Sequence, residues 1–383
     1  MSSNKIRPRS NLNRPNSRGS ARSEEPVSRE SSQYWEFTCN DIIHINYEQE
    51  LAKITVSSQS FDEEYAHRCK SLGIVPCPMV RCLNSDNQKA IYLRHTKIDL
   101  PNWQIMLISA ISCSITSISF YDIEISKRHV NDLVAAVAKA DQLRHLYLDF
   151  VTLEDDETCE CLSSVLDCEI PYISLRGNRI SDSVTATGCS RITANTSIEV
   201  LDLSSNLITD EGATLLFESL RLCPNIKFIS LRSNLIIGSA LHAMFRLIVG
   251  SALTSSDSAQ IKSQNTAISA RNRKVKDLVK RAAKEGKVLE LEEVPTLDAR
   301  VIKVGNESFV TNRTIREIDL SWNAVVPGIF EEACKVAVSS AALISAQGAF
   351  NSTIRITEIS TENNGSLFPS NTLPEGLRFE FEA

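Results

Sequence analysis

The sequence predicts an α/β solenoid, a stack of strand–turn–helix units sharing one parallel sheet. Three observations predict it. Apolar-x-apolar pairs recur at Ile91/Leu93, Ile118/Phe120, Leu146/Leu148, Ile173/Leu175, Leu201/Leu203 and Ile229/Leu231, with successive offsets of 27, 28, 27, 28 and 28 residues. Asparagine stands five residues after the first member of the last three pairs, at Asn178, Asn206 and Asn234. The period also changes within a unit: Leu201 and Leu203 alternate as in a strand, whereas Leu215, Leu216, Leu220 and Leu222 recur as on a helix.

Each part of the unit has a physical reason. The apolar pair points inward from a short strand, and the asparagine amide turns in to bond backbone left unpaired where the strand ends. Thr209 is then a fitting N-cap for a helix, with Asp210 and Glu211 in its first turn. No unit buries its apolar face alone, so stability comes from stacking neighbours. The first three units carry Thr96, Ile123 and Val151 at the asparagine position. A seventh unit fits at Ile315, Ile318, Leu320, Asn323 and Val325, and a weaker eighth reads Ile356, Ile359 and Asn364. The pattern L-x-x-L-x-L-x-x-N-x-L is that of leucine-rich repeats with a full helix per turn. The expected fold is a horseshoe of about seven or eight such units, with a concave parallel β-sheet and outer helices.

Composition divides the chain further. Residues 1–33 are rich in Ser, Arg, Asn and Pro and read as a disordered basic tail. Residues 34–88 do not follow the repeat; a short helix ending near Gly73, then Pro76 and Pro78, suggests an N-terminal cap. Repeats one to six fill 89–250. From Ile229 to Ile318 is 89 residues, one period of 28 plus 61, so 251–311 reads as an insertion and 312–383 as C-terminal repeats and cap. Between Arg271 and Lys287 the insertion carries eight basic residues against two acidic, followed by Glu290, Glu292 and Glu293. A charged helix bearing Arg271, Arg273, Lys274, Lys276, Lys280, Arg281 and Lys284 is expected, in a long excursion from the solenoid. That stretch has no aromatic residue, so an acidic protein surface such as a tubulin tail suits it better than nucleic acid. A solvated helix without a partner is the alternative.

On the concave face, the residues between the inward pairs are expected to be exposed: Tyr92, Arg94, His95, Tyr121, Asp122, Tyr147, Asp149, Phe150, Arg176, Asp202, Arg232, Asp319 and Trp322. Tyr, Trp and Arg dominate binding energy at interfaces, which singles out Tyr92, Arg94, Tyr121, Tyr147, Phe150, Arg176, Arg232 and Trp322 as candidate protein-binding residues. A surface tuned only for solubility is the competing reading.

Chemistry finds little support. The six histidines are scattered, and no phosphate-binding loop or nucleophile turn occurs. Asp155, Asp156 and Glu157 are expected to head a helix, where the dipole accounts for them. No cofactor, no metal and no enzyme are expected. The 11 cysteines include no C-x-x-C pair and read as reduced thiols, with Cys113, Cys168 and Cys223 buried at helix ends. A formal charge of −6 suggests neither nucleic-acid nor membrane binding, and no apolar run approaches 18 residues. The first residues lack the apolar core of a secretory signal, so a cytoplasmic protein is expected and the sequons at Asn195, Asn306, Asn312, Asn351 and Asn364 read as accidental.

The units, "LDLSSNLITDEGATLLFESLR" the clearest, resemble the ribonuclease-inhibitor-type class of leucine-rich repeats. The order of features is more specific: a basic tail, a short helix with Phe61, Cys69 and Gly73, early units opening at "IYLRHTKI", a charged insertion and a late "IDLSWN" unit. This order is similar to that of the leucine-rich repeat-containing protein 71 family, from about residue 61 onward. The resemblance implies a non-enzymatic scaffold of motile cilia and flagella, with axonemal or tubulin-associated partners. The alternatives are a soluble regulator of the ribonuclease-inhibitor or GTPase-activating type and, third, a ubiquitin-ligase substrate adaptor.

Overall fold

A computed structural model describes residues 35–37, 45–85, 88–153, 161–284, 286, 291–339, 352–357 and 377–382. The tail 1–33, the acidic helix start at Asp155, Asp156 and Glu157, Lys287 and Glu290, and Ile359 and Asn364 of the eighth unit lie outside the described residues.

One sheet organises the rest. Its strands are β1 (Arg81–Ser85), β2 (Gln88–Arg94), β3 (Ser117–Tyr121), β4 (His145–Asp149), β5 (Tyr172–Ser174), β6 (Val200–Asp202), β7 (Phe228–Ser230), β8 (Glu317–Leu320), β9 (Ser352–Thr357) and β10 (Leu377–Glu382). They lie side by side in chain order. β1 closes the N-terminal edge as an antiparallel partner of β2, and the other pairings are parallel. The register aligns the inward pairs, Leu201 opposite Ile173 and Ile229, and Ile318 opposite Ile229. The last described unit differs from the expected alignment. Ile354 and Ile356 pair with Ile318 and Leu320, where the expected alignment set Ile356 against Ile315 and Ile359 against Ile318, because alternation places Ile354 and Ile356 on the buried side.

The helices are α1 (Tyr47–Ala52), α2 (Phe61–Ser71), α3 (Leu100–Ser112), α4 (Lys127–Val137), α5 (Asp182–Ala194), α6 (Asp210–Leu220), α7 (Leu241–Val249), α8 (Ser255–Lys284) and α9 (Pro327–Ser339); all but α8, which belongs to the insertion, cover the buried side of the sheet or close its N-terminal end. α6 shows the local logic. Thr209 Oγ accepts from Glu211 N–H at 3.3 Å, and Ala213, Leu216, Phe217 and Leu220 form the buried stripe while Leu215 is exposed. Asp210 does more than complement the dipole: its carboxylate accepts from Ile237, Gly238 and Ala240 N–H at 2.7–3.0 Å, capping the next unit. Asp182 does the same for Thr209 and Gly212 N–H at 2.8 and 3.1 Å. Helix starts are thus stitched from one unit to the next.

The strand-to-helix turn is equally regular. A left-handed residue follows the strand in seven units: His95, Asp122, Phe150, Gly177, Ser205, Ser233 and Trp322, with φ from 49° to 72°. The asparagine comes next. Asn206 Oδ1 accepts from Asn178 and Ile180 N–H at 2.9 and 3.0 Å, while its Nδ2 donates to the Leu203 and Leu175 carbonyls at 2.8 and 3.1 Å. Asn178, Asn234 and Asn323 repeat the arrangement. Where asparagine is missing the turn persists, with Thr96, Ile123 and Val151 buried in its place.

The N-terminal units are closed by α1 and α2. α2 opens with a capping box between Ser60 and Glu63 and stops at Gly73, whose φ is 69°. α3 is apolar nearly all round because α2 and α4 cover it from both sides. Trp103 Nε1–H donates to the His129 carbonyl at 3.0 Å. The buried His129 ring accepts at Nδ1 from Ser126 N–H and donates from Nε2 to the Ile98 carbonyl, both at 3.3 Å, which suits the neutral imidazole.

The described residues of 251–311 leave the solenoid ladder yet pack back against it. Because β7 pairs directly with β8, the two blocks of units stack across the insertion. α8, opened by Thr254 and Asp257 capping each other at 2.8 and 3.0 Å, runs back along the loops that precede the strands. Arg221 pairs with Asp257 at 2.5 Å, Gln264 Nε2 donates to the Thr193 carbonyl, and Arg271 Nε approaches Ser197 Oγ at 3.5 Å. Ile261, Ile268, Val294, Leu297 and Val310 form a satellite core over Leu222. The buried Arg300 donates to the Cys223 and Pro224 carbonyls at 2.7 and 2.6 Å, and burial lowers its pKa to about 10. The expected excursion thus packs against the solenoid over its described residues. An antiparallel sheet of Ser251–Ala252, Glu307–Val310 and Val301–Val304 closes its base.

Two outcomes are expected. Asn206→Ala strands two buried N–H groups and at least two carbonyls, so urea unfolding should show a loss of about 2–4 kcal/mol. Burial lowers the pKa of His129 to about 4 from an ordinary 6.5. The unfolded state therefore binds the proton first, and the contribution, present above pH 6.5, is lost as pH falls from 6.5 towards 4, by roughly 3 kcal/mol. Comparing urea midpoints at pH 7 and pH 5, His129→Gln should lose less than the wild type over that window.

Candidate protein-interaction face

Alternation along the strands presents three columns on the face of the sheet away from the helices. One precedes the inward pair and carries His145 and Tyr172; the middle one carries Tyr92, Tyr147, Asp202 and Asp319; the third carries Arg94, Tyr121, Asp149, Arg176 and Arg232. Beside the third column stand the left-handed turn residues, among them His95, Phe150 and Trp322.

Five of the residues singled out in the sequence come together in one row. The Arg94 guanidinium lies 5.7 Å from the Tyr92 ring centre and 5.9 Å from that of Tyr121. Tyr121 packs on Phe150 at 5.5 Å, and Arg176 covers Phe150 at 5.4 Å. Such guanidinium–ring contacts contribute about 0.5–1 kcal/mol each at exposed sites and hold flexible arginines flat. Tyr147 belongs to a second cluster, 4.9 Å from Tyr172 and 6.4 Å from His145. Arg232 and Trp322 pair at 5.7 Å in the C-terminal units, separate from both clusters. Trp322 is 55% exposed, whereas Asp319, expected to be exposed, is buried.

Sequence reasoning passed over His145 and Tyr172, which sit one residue before the inward pairs Leu146/Leu148 and Ile173/Leu175; the same register would have found them. It also left unread the role of Gly177. A β-carbon built on Gly177 would overlap the Phe150 ring, and its φ of 72° is one that side chains disfavour. His95 Nδ1 meets Asp122 Oδ2 at 2.8 Å on the same rim, beside Tyr121 at 5.6 Å.

Electrostatics divides the face. Burial raises the pKa of Asp149, and nearby Asp202 adds to the rise; its carboxylate accepts from Ser174 Oγ at 2.5 Å. Arg94 and Arg176 are exposed, offering donors that can turn to a partner's carboxylates or carbonyls. The buried thiols are poor nucleophiles: burial raises Cys223 to about 11 and Cys168 to about 12. Among the described residues, no group of three or more His, Cys, Asp or Glu side chains could hold a metal, and no helix is long and apolar enough to cross a membrane.

On α8, Arg273, Lys274, Lys276, Lys280, Arg281 and Lys284 are exposed. Arg271 is half-buried, its guanidinium donating to the Glu292 carbonyl at 3.0 Å. The sequons at Asn195 and Asn312 are structural: both side chains are buried, donating to the carbonyls of Leu166 and Leu220 at 2.8 and 2.7 Å.

A family model described as Leucine Rich repeat matches residues 194–217 and 311–326. The first segment spans β6 and the Asn206 turn into α6, the second β8 and the Asn323 turn. No curated protein matches the chain. These matches support a leucine-rich repeat protein, a class of modules that generally bind other proteins and are typically non-enzymatic.

A double-mutant cycle checks the Phe150–Gly177 contact. Gly177→Ala should cost more than the 1–2 kcal/mol of its left-handed backbone, and Phe150→Ala in the same chain should remove the excess, leaving a coupling of about 1 kcal/mol in chemical unfolding.

Proposed function

We propose that the chain is a non-enzymatic scaffold that docks a protein partner on the sheet face between β2 and β5. The observation that carries this reading is the unbroken row Tyr92, Arg94, Tyr121, Phe150 and Arg176. Its members lie 5.4–5.9 Å apart on strands and the turns that leave them, whose spacing the core fixes. Rigid aromatic rings and flattened guanidiniums lose little freedom on binding, and these residue types dominate interface energetics. Tyr147 and Tyr172 extend the surface, and Arg232 with Trp322 forms a second anchor.

The scaffold is a structural component of motile cilium or flagellum axonemes. What supports this address is the order of sequence features shared with the leucine-rich repeat-containing protein 71 family: cap helix, early units without asparagine, charged insertion and late "IDLSWN" unit.

Localisation of the tagged protein in a motile-ciliated cell, followed by detergent and high-salt extraction of axonemes, tests both parts. Retention in the salt-resistant pellet is expected. The variant Tyr92→Ala, Arg94→Ala, Tyr121→Ala, Arg176→Ala should fold normally yet be released at least tenfold more readily. A diffuse pool freed by detergent would replace the axonemal reading with that of a soluble regulator. Unchanged retention of the variant would remove the sheet face from the interaction.

A further inference from the structure

α8 has two faces of opposite character. Asp257, Ile261, Gln264, Ile268 and Val275 form its buried stripe. At about 100° per residue, Lys284 points directly away from that stripe and Arg273 lies within about 30° of that direction, with Lys280 and Arg281 about 50° to either side of it and Lys274 farther round. All five are exposed, and Asp277 is the one acid interposed in the row. From Arg273 to Lys284 the helix rises about 16 Å, the length of about five residues of extended chain.

The return segment of the insertion lies along one flank of this row. Lys276 Nζ pairs with Glu293 Oε2 at 3.1 Å. Asn272 clamps the segment, donating to the Val294 carbonyl at 2.8 Å and accepting from Val294 N–H at 2.9 Å. The chain thus lays its own acidic segment against the edge of its cations, Glu293 through its carboxylate and Glu292 through its carbonyl, which accepts from Arg271. Glu293 is half-exposed, and a single surface pair of this kind contributes at most about 1 kcal/mol, so it is readily displaced.

We infer that the outer face of α8 is a docking surface for an acidic polypeptide segment, which competes at its flank with the chain's own Glu292–Glu293 segment. Three observations support a polypeptide over other polyanions. The chain's own contact with this helix is a peptide carboxylate on an ammonium. The row carries no aromatic side chain on which a base can stack. It carries no large apolar side chain to enter a lipid surface. The buried stripe, which ends at Val275, anchors the helix before any ligand arrives, and Lys280, Arg281 and Lys284 continue from that anchor on the same helix. This surface is independent of the sheet face, and the two tests read different residues.

The experiment is fluorescence anisotropy of a fluorescein-labelled deca-glutamate peptide titrated with the full-length protein at 20 and 150 mM salt. Binding that weakens with salt is expected. K280E/R281E/K284E should weaken it at least tenfold, with the circular dichroism spectrum and urea midpoint unchanged; K280Q/R281Q/K284Q should reproduce most of that loss. E292Q/E293Q should tighten binding severalfold by removing the competitor. The inference is overturned if the peptide does not bind at 20 mM salt. It is equally overturned if the α8 variants bind as well as the wild type, or if phosphatidylserine vesicles or single-stranded poly(U) bind more tightly than the peptide. Equal or weaker binding by E292Q/E293Q would remove the competing segment from the proposal.

Discussion

The whole structure depends on how the chain leaves the sheet. Each short strand must turn outward within a few residues, above a buried apolar core, and the carbonyls stranded there need donors. Two devices meet this need together. A left-handed residue opens the turn, and its N–H reaches the carbonyl of the next unit, as from Phe150 to Arg176 at 2.7 Å and from Ser205 to Arg232 at 2.8 Å. The asparagine that follows serves two units at once, Asn206 bonding backbone on both its own turn and that of Asn178. The interval of 27–28 residues keeps these partners opposite each other within the first six units, and across the insertion the pairing of β7 with β8 does the same.

This constraint explains which parts of the fold were legible in the sequence. The inward pairs and the asparagines are local and periodic, so the strands and their neighbours could be read directly. The left-handed residue could not, because it is His, Asp, Phe, Gly, Ser or Trp by turns; backbone geometry unites these positions where residue type does not. The last unit was misaligned because Ile356 and Ile359 mimic the spacing of Ile315 and Ile318, and only the pairing of Ile354 with Ile318 breaks the tie. The packing of residues 251–311 was hidden for another reason. Arg300 and Gln264 look like solvent residues in sequence, yet each serves carbonyls exposed at the ends of repeat helices, a demand set by distant parts of the chain.

The candidate surfaces show the same division. The tyrosines and arginines of the sheet face follow from the repeat register, whereas their grouping into a row, a Tyr147–Tyr172 cluster and an Arg232–Trp322 pair depends on side-chain directions. Phe150 reaches its place only because the next unit has no side chain at Gly177. On α8 the cations were evident in the sequence, but which of them face outward is set by the apolar stripe beneath. Arg271 is turned inward by that phase, and Lys276 meets the returning acidic segment.

The brace along the strand-entry loops has a mechanical consequence. A plain solenoid transmits force only between nearest neighbours, so it bends and frays like a stack of plates. Here a helix of 30 residues, about 45 Å long, ties Arg221, Thr193 and Ser197 to one rod along a single edge. Bending that would spread the plates on that edge must stretch several ties at once, whereas on the strand-exit edge the described residues show a short parallel ladder of Trp35–Phe37, Thr96–Ile98, Glu124–Ile125 and Thr152–Leu153. Over the units it spans, the rod therefore makes the strand-entry edge harder to open than a stack of plates alone.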